Sequence, residues 1–252
     1  MRDTAGLYDA FLGGGGEPVA AFVDGLGVGG RWLDAGCGTG RLLPLLSGIG
    51  LQVEGLEPRA DYAARARRRA PGTVVHDGDL ASLSAHPPGR FDGVLICNGP
   101  LAYILDDEGL GRALAGVFRA LRPGGVLVSD TPNFEWILDN YRAPASQRAW
   151  VDGALVERRP RHGIDRDARI FAHTDTLVRL DGEPPVEVDR VEERYEFAIR
   201  SADSVVDAHR SAGFGGLASW RGWTAREPGG EPGPRILLTG HRPGSTAEAR
   251  PR

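Results

Sequence analysis

The chain of 252 residues contains no lysine, so arginine supplies all thirty of its basic side chains. A P-loop nucleotide site, a pyridoxal enzyme and a Schiff-base aldolase each need a lysine, and the sequence excludes all three. Cysteine is almost as scarce, since Cys37 and Cys97 are the only two, and they form neither a metal-binding motif nor a disulfide framework. No apolar run approaches the ~20 residues of a membrane span, and no signal-peptide pattern opens the chain. We therefore expect a cytoplasmic protein that binds neither a metal nor a membrane.

Strong positive charge is also missing, because acidic side chains outnumber basic ones and the net charge is −4. Such a chain lacks the overall basic field that draws a protein to nucleic acid. The one local cluster, Arg65, Arg67, Arg68 and Arg69, is typical of a solvated helix C-terminus, where positive charge suits the helix dipole. We therefore expect no nucleic-acid partner.

Glycine, by contrast, is abundant, and three glycines carry the main signal. Gly36, Gly38 and Gly40 follow a hydrophobic strand pattern and precede a helical one, which predicts a tight turn that a ligand can approach closely. The third glycine comes one position too early for the dinucleotide fingerprint G-x-G-x-x-G. Asp34 lies just before the turn. Glu57 ends the next strand about 20 residues downstream, where a carboxylate can accept the hydroxyls of a ribose.

The run D-A-G-C-G-T-G at 34–40 resembles the glycine motif of class I S-adenosylmethionine-dependent methyltransferases. Four more segments resemble that family in the family's own order: V-E-G-L-E-P at 53–58, V-H-D-G-D-L at 75–80, F-D-G-V-L-I-C-N at 91–98 and L-R-P-G-G-V-L-V at 121–128. The resemblance covers roughly residues 30–130. It implies an α/β fold with a doubly wound, mostly parallel seven-stranded sheet, and S-adenosylmethionine as the cofactor.

The resemblance also assigns roles around that cofactor. The backbone of the glycine turn would lie against the methionine part, Glu57 would hold the ribose, and Asp79 with the N–H of Leu80 would contact the adenine. Asp34 would orient the turn or meet the ammonium group through water. A carboxylate at a strand end also often caps the next helix, so that alternative stays open. The complete set of expected cofactor residues is Tyr8, Asp34, Ala35, Gly36, Gly38, Glu57, Pro58, Asp79, Leu80 and Asn98.

The pattern of apolar residues, polar residues and turns divides the chain into five predicted segments. Residues 1–29 form an N-terminal lid segment, with Tyr8 either covering the cofactor or anchoring the segment to the core. Residues 30–131 form the cofactor-binding core. An insertion at 132–200 contains a β-hairpin, because strand-like alternation flanks a turn at 181–185. Residues 201–242 complete the core, and 243–252 form a disordered tail.

The acceptor side is expected in the insertion and next to the fourth strand. His162 and His173 are the candidate catalytic bases, since histidine titrates near neutrality, although a lone histidine is often structural. Tyr103, Trp136, Tyr141 and Arg142 are candidates for an acceptor pocket, and they serve equally well as core or interface residues. A homodimer is left open.

Within the family the chain is similar to amino-sugar N-methyltransferases in Tyr8-Asp9, in V-E-G-L-E and in the hairpin after the fifth strand. It departs from them after the fourth strand, at N-G-P-L-A-Y. We therefore expect methyl transfer to an N or O atom of a small molecule, such as a sugar or another secondary-metabolite intermediate. Two alternatives are a nucleotide-cofactor oxidoreductase on a similar sheet and a non-catalytic S-adenosylmethionine-binding protein.

Overall fold

The computed structural model describes residues 4–12, 14–230 and 233–244. Eleven strands form two sheets in this part of the chain. In chain order they are β1 (Arg31–Ala35), β2 (Gln52–Glu57), β3 (Val75–Asp77), β4 (Phe91–Ile96), β5 (Leu121–Pro132), β6 (Gln147–Val151), β7 (Ala154–Asp165), β8 (Ile170–Asp181), β9 (Val186–Ala198), β10 (Gly215–Trp220) and β11 (Arg235–His241).

The main sheet has seven strands in the order β10-β11-β5-β4-β1-β2-β3. Strands β1 to β5 pair in parallel, whereas β11 runs antiparallel to β5 and to β10. The predicted doubly wound, mostly parallel sheet is therefore confirmed. The strand order reverses between β1 and β4, and ligands of such sheets bind in the crevice at the carboxyl ends of the strands beside that reversal.

Helices cover both faces of this sheet, and their ends follow from local chemistry. Asp106 accepts a hydrogen bond from the N–H of Gly109 and caps one helix, while Ser201 caps another and Gly213 ends it at φ +100°. None of the described helices is long and apolar enough to cross a membrane. The helices are α1 (Thr4–Leu12), α2 (Glu17–Gly25), α3 (Leu43–Gly48), α4 (Ala60–Arg69), α5 (Asp107–Ala120), α6 (Phe134–Asp139) and α7 (Ala202–Ser211), with 3₁₀ helices at Leu80–Ala85 and Pro100–Tyr103.

Two apolar clusters hold the main sheet between its helices. On one face Trp32 and Leu43 are fully buried, and on the other face Phe91, Leu114 and Leu121 are. Burying a side chain of this size stabilises a fold by about 1.5–3 kcal/mol. The sheet is therefore a rigid base, and its carboxyl edge positions the loops that follow β1, β2 and β4.

The second sheet is antiparallel throughout, in the order β6-β7-β8-β9. The predicted hairpin is present as β8 and β9, but it is half of a four-stranded sheet. Strand β7 was not predicted because Arg158, Arg159, Pro160 and Arg161 hide the alternation of apolar residues. Most of the predicted disordered tail at 243–252 lies outside the described residues.

Candidate cofactor and active site

The glycine turn after β1 needs its three glycines for different reasons. Gly36, Gly38 and Gly40 all have positive φ, at +85°, +58° and +79°. A Cβ on Gly36 would lie 2.6 Å from Pro100, and one on Gly40 would lie 2.7 Å from the Cα of Ala66 in α4. A Cβ on Gly38 would meet no atom within 4 Å. Gly36 and Gly40 therefore allow close packing of the protein on itself, whereas Gly38 leaves its backbone open to a ligand.

A cleft lies over this turn, at the carboxyl ends of β1 and β4, where the strand order reverses. Its lining includes five of the ten predicted cofactor residues, namely Tyr8, Asp34, Gly36, Gly38 and Asn98. The position is the one that the topology of a doubly wound sheet favours for a ligand.

Asp34 is the most unusual group in the cleft. Its side chain is 1% exposed, and its Oδ2 has no hydrogen-bond partner among the described residues. Burial raises the pKa of Asp34 to about 7, an effect that the charge of Arg41 opposes and the charge of Glu57 reinforces. Because an unpartnered buried carboxylate is costly, this oxygen fits a polar or cationic ligand group.

Glu57 ends β2 beside the turn, and two backbone N–H groups hold its carboxylate. Gly38 N donates to Oε2 at 2.9 Å, and Arg59 N donates to Oε1 at 3.0 Å. Burial raises the pKa of Glu57, while these two hydrogen bonds oppose the rise. Each carboxylate oxygen keeps a second lone pair, so the fixed carboxylate can still accept a pair of hydroxyl groups.

Asp79 behaves differently, because its side chain caps a helix. It is exposed, and its Oδ1 accepts the N–H of Ser82 at 2.9 Å at the start of the 3₁₀ helix Leu80–Ala85, in which Leu80 is buried. Ala35 is buried at the end of β1, and Pro58 is exposed just after Glu57. For these residues the contact with the cofactor stays a prediction.

Helix α1 lies against the cleft through Tyr8. Its hydroxyl accepts a hydrogen bond from Asn98 Nδ2 at 3.2 Å, and its ring lies 5.3 Å from that of Tyr62 in α4. The next residue, Asp9, accepts hydrogen bonds from Thr39 of the glycine turn and from Arg69 of α4, the latter at 2.6 Å. Helix α1 is thus anchored to the elements that form the cleft.

The part that Asp9, Thr39, Arg65 and Arg69 play was not predicted. The arginine cluster was expected to be a solvated helix end, yet Arg65 and Arg69 both form ion pairs with Asp9. The acidic residue directly after Tyr8 was the signal that could have revealed this contact.

A second unpredicted contact, the ion pair of Asp130 with Arg235, lies behind Asn98. Asn98 has φ +67°, and its N–H donates to Asp130 Oδ2 at 3.0 Å. Asp130, which is 2% exposed, also binds Arg235 through Nε at 2.7 Å and Nη2 at 2.6 Å. The turn after β4 is therefore fixed from below by a buried carboxylate, which aims the Asn98 side chain at the cleft.

The second sheet packs against this edge of the molecule. The Tyr103 ring, 49% exposed, lies 4.6 Å from the ring of Phe197 and 6.1 Å from that of Tyr195 on β9. On the same strand, Glu193 pairs with Arg59 at 3.2 Å. Strand β9 therefore joins the cofactor side to the predicted acceptor side.

Three of the predicted acceptor-side residues come together on the second sheet. His162 Nε2 lies 2.9 Å from His173 Nδ1, and the Tyr141 hydroxyl lies 3.4 Å from His162 Nδ1. An unpredicted carboxylate, Asp175, lies 2.9 Å from His173 Nε2. No hydrogen bond, ion pair or ring contact within the described ranges joins the side chains of Trp136 and Arg142 to this group.

Comparison with known proteins decides the family. Residues 33–125 match the family model of a methyltransferase domain. The chain is 32% identical over 194 residues to a dTDP-3-amino-3,4,6-trideoxy-alpha-D-glucopyranose N,N-dimethyltransferase of Streptomyces venezuelae, and the match covers 74% of each chain. This chain belongs to the S-adenosylmethionine-dependent methyltransferases. S-adenosylmethionine is its cofactor, and the open face of Gly38, the unpartnered Asp34 and the fixed Glu57 fit that cofactor.

Two further similarities agree with this assignment. This methyltransferase is 29% identical to a dTDP-3-amino-3,6-dideoxy-alpha-D-glucopyranose N,N-dimethyltransferase of Streptomyces fradiae, over 86% of this chain and 79% of the other. The crystal structure of Streptomyces venezuelae DesVI shares the fold with a TM-score of 0.73 at 23% identity, covering 95% of this chain and 98% of that one. The oxidoreductase alternative receives no support from these findings.

Proposed function

We propose that this methyltransferase transfers methyl groups to the amino nitrogen of a small sugar that is carried on a nucleotide. The observation that carries the proposal is the similarity to the two amino-sugar N,N-dimethyltransferases. The second of these matches spans 221 residues, so it has to extend into residues 132–200, the segment that we expect to select the acceptor. The likeness therefore reaches beyond the cofactor side, which many methyltransferases share.

The residues of the cleft would hold the cofactor in one orientation. When bound, S-adenosylmethionine supplies a methyl group that a sulfonium has already activated. The backbone from Ala35 to Gly38 would lie against its methionine part, and Asp34 would accept from the ammonium group. Glu57 would hold the ribose. The remaining predicted contacts are those of Pro58 beside the ribose, Asp79 and Leu80 at the adenine, and Asn98 near the methyl donor.

Helix α1 would act as a lid on this site. Tyr8 and Asn98 both line the cleft, and a hydrogen bond of 3.2 Å joins their side chains. A ligand that enters between them would separate the two side chains. The anchor of Asp9 on Arg65 and Arg69 would then close the segment again.

The acceptor would lie between the cleft and the second sheet, against Tyr103, Trp136, Tyr141 and Arg142, with His162 and His173 as the catalytic side chains. An amine attacks only as the neutral base, so the site has to favour loss of its extra proton. Holding the two reactants in line is worth roughly 7–11 kcal/mol of the barrier. A hydroxyl acceptor would depend more strongly on a positioned base, and it is the second candidate.

Calorimetry tests the cofactor side first. We expect S-adenosylmethionine and S-adenosylhomocysteine to bind and NADH not to bind. The acceptor side is tested by methyl transfer from labelled S-adenosylmethionine to a nucleotide-linked 3-amino sugar, with the 3-hydroxy sugar as the matched control. Methylation of the hydroxy sugar alone would replace the proposal with O-methylation, and methylation of neither would remove the sugar assignment.

The segment at 132–200 offers a second test. Exchanging it for the corresponding segment of a relative should change the preferred acceptor and leave cofactor binding intact. Loss of cofactor affinity in a folded chimera would contradict the proposed division into lid, core and insertion. A cytoplasmic location, the lack of a nucleic-acid partner and a homodimer stay predictions from the sequence.

A further inference from the structure

A row of polar side chains crosses the second sheet. The register pairs His162 of β7 with His173 of β8, and His173 with Tyr195 of β9, so the three side chains share one face. Asp175, two residues after His173, lies on that face as well. It is the face that meets the cofactor side, because Tyr195 lies beside Tyr103. The row therefore borders the space proposed for the acceptor.

The hydrogen bonds along this row have one consistent direction. Asp175 is 5% exposed, and the close contacts with His173 and Arg158 outweigh the effect of burial and keep its pKa below the usual value. As an ionised carboxylate it can only accept, and its Oδ2 lies 2.9 Å from His173 Nε2, a distance at which two lone pairs would repel each other, so we assign the proton of a neutral His173 ring to Nε2. His173 Nδ1 is then the acceptor for His162 Nε2–H, and His162 Nδ1 keeps its lone pair.

Arg158 stabilises the carboxylate end of the row. Its side chain is 10% exposed, its Nε lies 2.7 Å from Asp175 Oδ1 in an ion pair that lacks hydrogen-bond geometry, and its Nη1 donates to Gln147 at 3.1 Å. Its Nη2 lies 3.2 Å from His173 Nε2, but one neutral nitrogen cannot accept from Arg158 while it donates to Asp175. The shorter contact, to a charged acceptor, decides for donation to Asp175.

We propose that Asp175 and Arg158 are positioning residues that hold His173 and His162 in the tautomers that leave His162 Nδ1 free to take a proton from the acceptor's ammonium group. This inference rests on the proposed amino-sugar acceptor. The Tyr141 hydroxyl lies 3.4 Å from Nδ1, a contact too long to be a strong hydrogen bond, so an ammonium group can replace it.

The proton step balances without a further reactant. An N–H bond of the acceptor's ammonium group breaks, an Nδ1–H bond forms on His162, and the amine keeps the electron pair with which it attacks. His162 is half-buried, so it can then release the proton to solvent. Burial and the neighbouring His173 and Arg158 side chains lower the pKa of His162, while Asp175 opposes this, and the net lowering favours the neutral ring. Tyr141 and Phe171 complete its surroundings.

Nitrogen-15 NMR of the histidine rings in the unliganded wild-type protein tests the tautomers without any activity. We expect both His162 and His173 to carry their proton on Nε2 at pH 7, with the signals assigned from the His162→Asn and His173→Asn variants. In Asp175→Asn, His162 should populate both tautomers. A proton on His162 Nδ1 in the wild-type protein would overturn the proposal.

Kinetics give the second test. We expect Asp175→Asn to lower kcat about 10- to 100-fold with little change in KM, by analogy with the residues that orient metal-binding histidines. His162→Asn should lower kcat by about 100-fold or more, and added imidazole should restore part of the rate. The acid limb of the kcat profile should move to lower pH in Asp175→Asn, because the Asp175 charge raises the pKa of His162.

Matched controls are available in the same chain. Glu196→Gln makes the same carboxylate-to-amide change on the opposite face of the second sheet, and His241→Asn changes an exposed histidine at the far end of β11. Neither should alter kcat. S-adenosylhomocysteine binding shows that each variant is folded. An unchanged kcat in a folded Asp175→Asn would overturn the inference, whereas a wild-type protein that methylates no amino sugar would overturn the proposed function and leave the NMR result standing.

Discussion

The cofactor cleft and the second sheet create their chemistry in opposite ways. In the cleft, backbone groups form the site. The turn through Gly36 and Gly38 lines it, and two backbone N–H groups hold the Glu57 carboxylate. On the second sheet, side chains from neighbouring strands act on one another, as His162 and Arg158 of β7 do with His173 and Asp175 of β8. The first kind of site follows from the turn after β1 and the end of the next strand along the chain, and the second depends on strand register.

The largest expected effect comes from two glycines of the turn after β1, one of which packs against the protein and one of which faces the ligand. Gly40→Ala should lower the free energy of unfolding by roughly 2–5 kcal/mol, because it combines left-handed strain with a collision against the backbone of Ala66. Gly38→Ala has the same strain but open space around its Cβ. It should cost only about 1–2 kcal/mol of stability and should instead weaken cofactor binding. Urea unfolding and calorimetry separate the two effects.

Equal stability losses in the two alanine variants would mean that the turn has no side reserved for a ligand. An intact cofactor affinity in Gly38→Ala would lead to the same conclusion. Gly111→Ala, in the exposed part of α5 where a Cβ meets nothing, is the control and should not lower stability.

The next largest expected effect is the pH dependence that Asp34 gives to the free energy of unfolding. Its folded-state pKa of about 7 lies above the ordinary value, so the folded protein binds the proton more tightly than the unfolded chain. This stabilisation is complete below about pH 4 and is lost as the pH rises through 7, an effect of roughly 4 kcal/mol at 1.36 kcal/mol per unit. Asp34→Asn should remove that slope from the unfolding free energy.

Asp34 should also couple the binding of the cofactor to the release of a proton. A ligand ammonium group near Asp34 favours its charged form, so cofactor binding should release a proton near pH 7 and tighten between pH 6 and 8. Calorimetry in buffers of different ionisation enthalpy measures this release. The Asp34→Asn variant should show none, and a wild-type protein without proton release would place the ammonium group elsewhere.

Much of the fold and of the cleft was predictable because the relevant signals are local. The strand endings at Asp34, Glu57 and Asn98 follow from short hydrophobic runs, and the parallel sheet brings the ends of such runs to one edge. The cap on α7 at Ser201 and its end at Gly213 follow from neighbouring residues alone.

The remaining features depend on pairings that no local pattern encodes. His162 and Arg158 of β7 became visible as partners of His173 and Asp175 only once β7 was placed beside β8, and Arg235 meets Asp130 across β11 and β5. A shift of one residue in either register would turn these side chains to opposite faces. The sequence therefore indicated the histidines as candidates but not their contact across two strands. Asp175, two residues after His173, was a local signal that could have been recognised.

A smaller effect, on cofactor affinity, is expected from Glu57, whose side chain is held by two backbone N–H groups. Glu57→Gln keeps the shape but replaces one acceptor oxygen with an amide N–H₂, which faces the N–H of Gly38 or Arg59. Cofactor affinity should fall by about 1.5–3 kcal/mol, the range for hydrogen bonds to a charged group. Glu108→Gln, exposed on α5, is the control in the same titration. A dissociation constant equal to that of the wild type would remove Glu57 from the site.

The smallest expected effect concerns the ion pair of Arg59 with Glu193, which joins the cofactor side to the second sheet. Arg59 lies 4.0 Å from the centre of the Tyr62 ring on the cofactor side, and it pairs with Glu193 of the second sheet at 3.2 Å. A double-mutant cycle of Arg59→Gln and Glu193→Gln should give a coupling energy of about 0.5–1 kcal/mol in unfolding, since the pair is only partly buried.

The same cycle, measured on acceptor KM, decides whether the two regions act as one site. The pair fixes β9, and β9 carries Tyr195 beside His173, so loosening it should raise the KM for the acceptor and leave cofactor affinity unchanged. An equal loss of cofactor affinity would mean that the second sheet shapes the cleft as well. Coupling in stability without any effect on KM would make the contact a support between two sites that function independently.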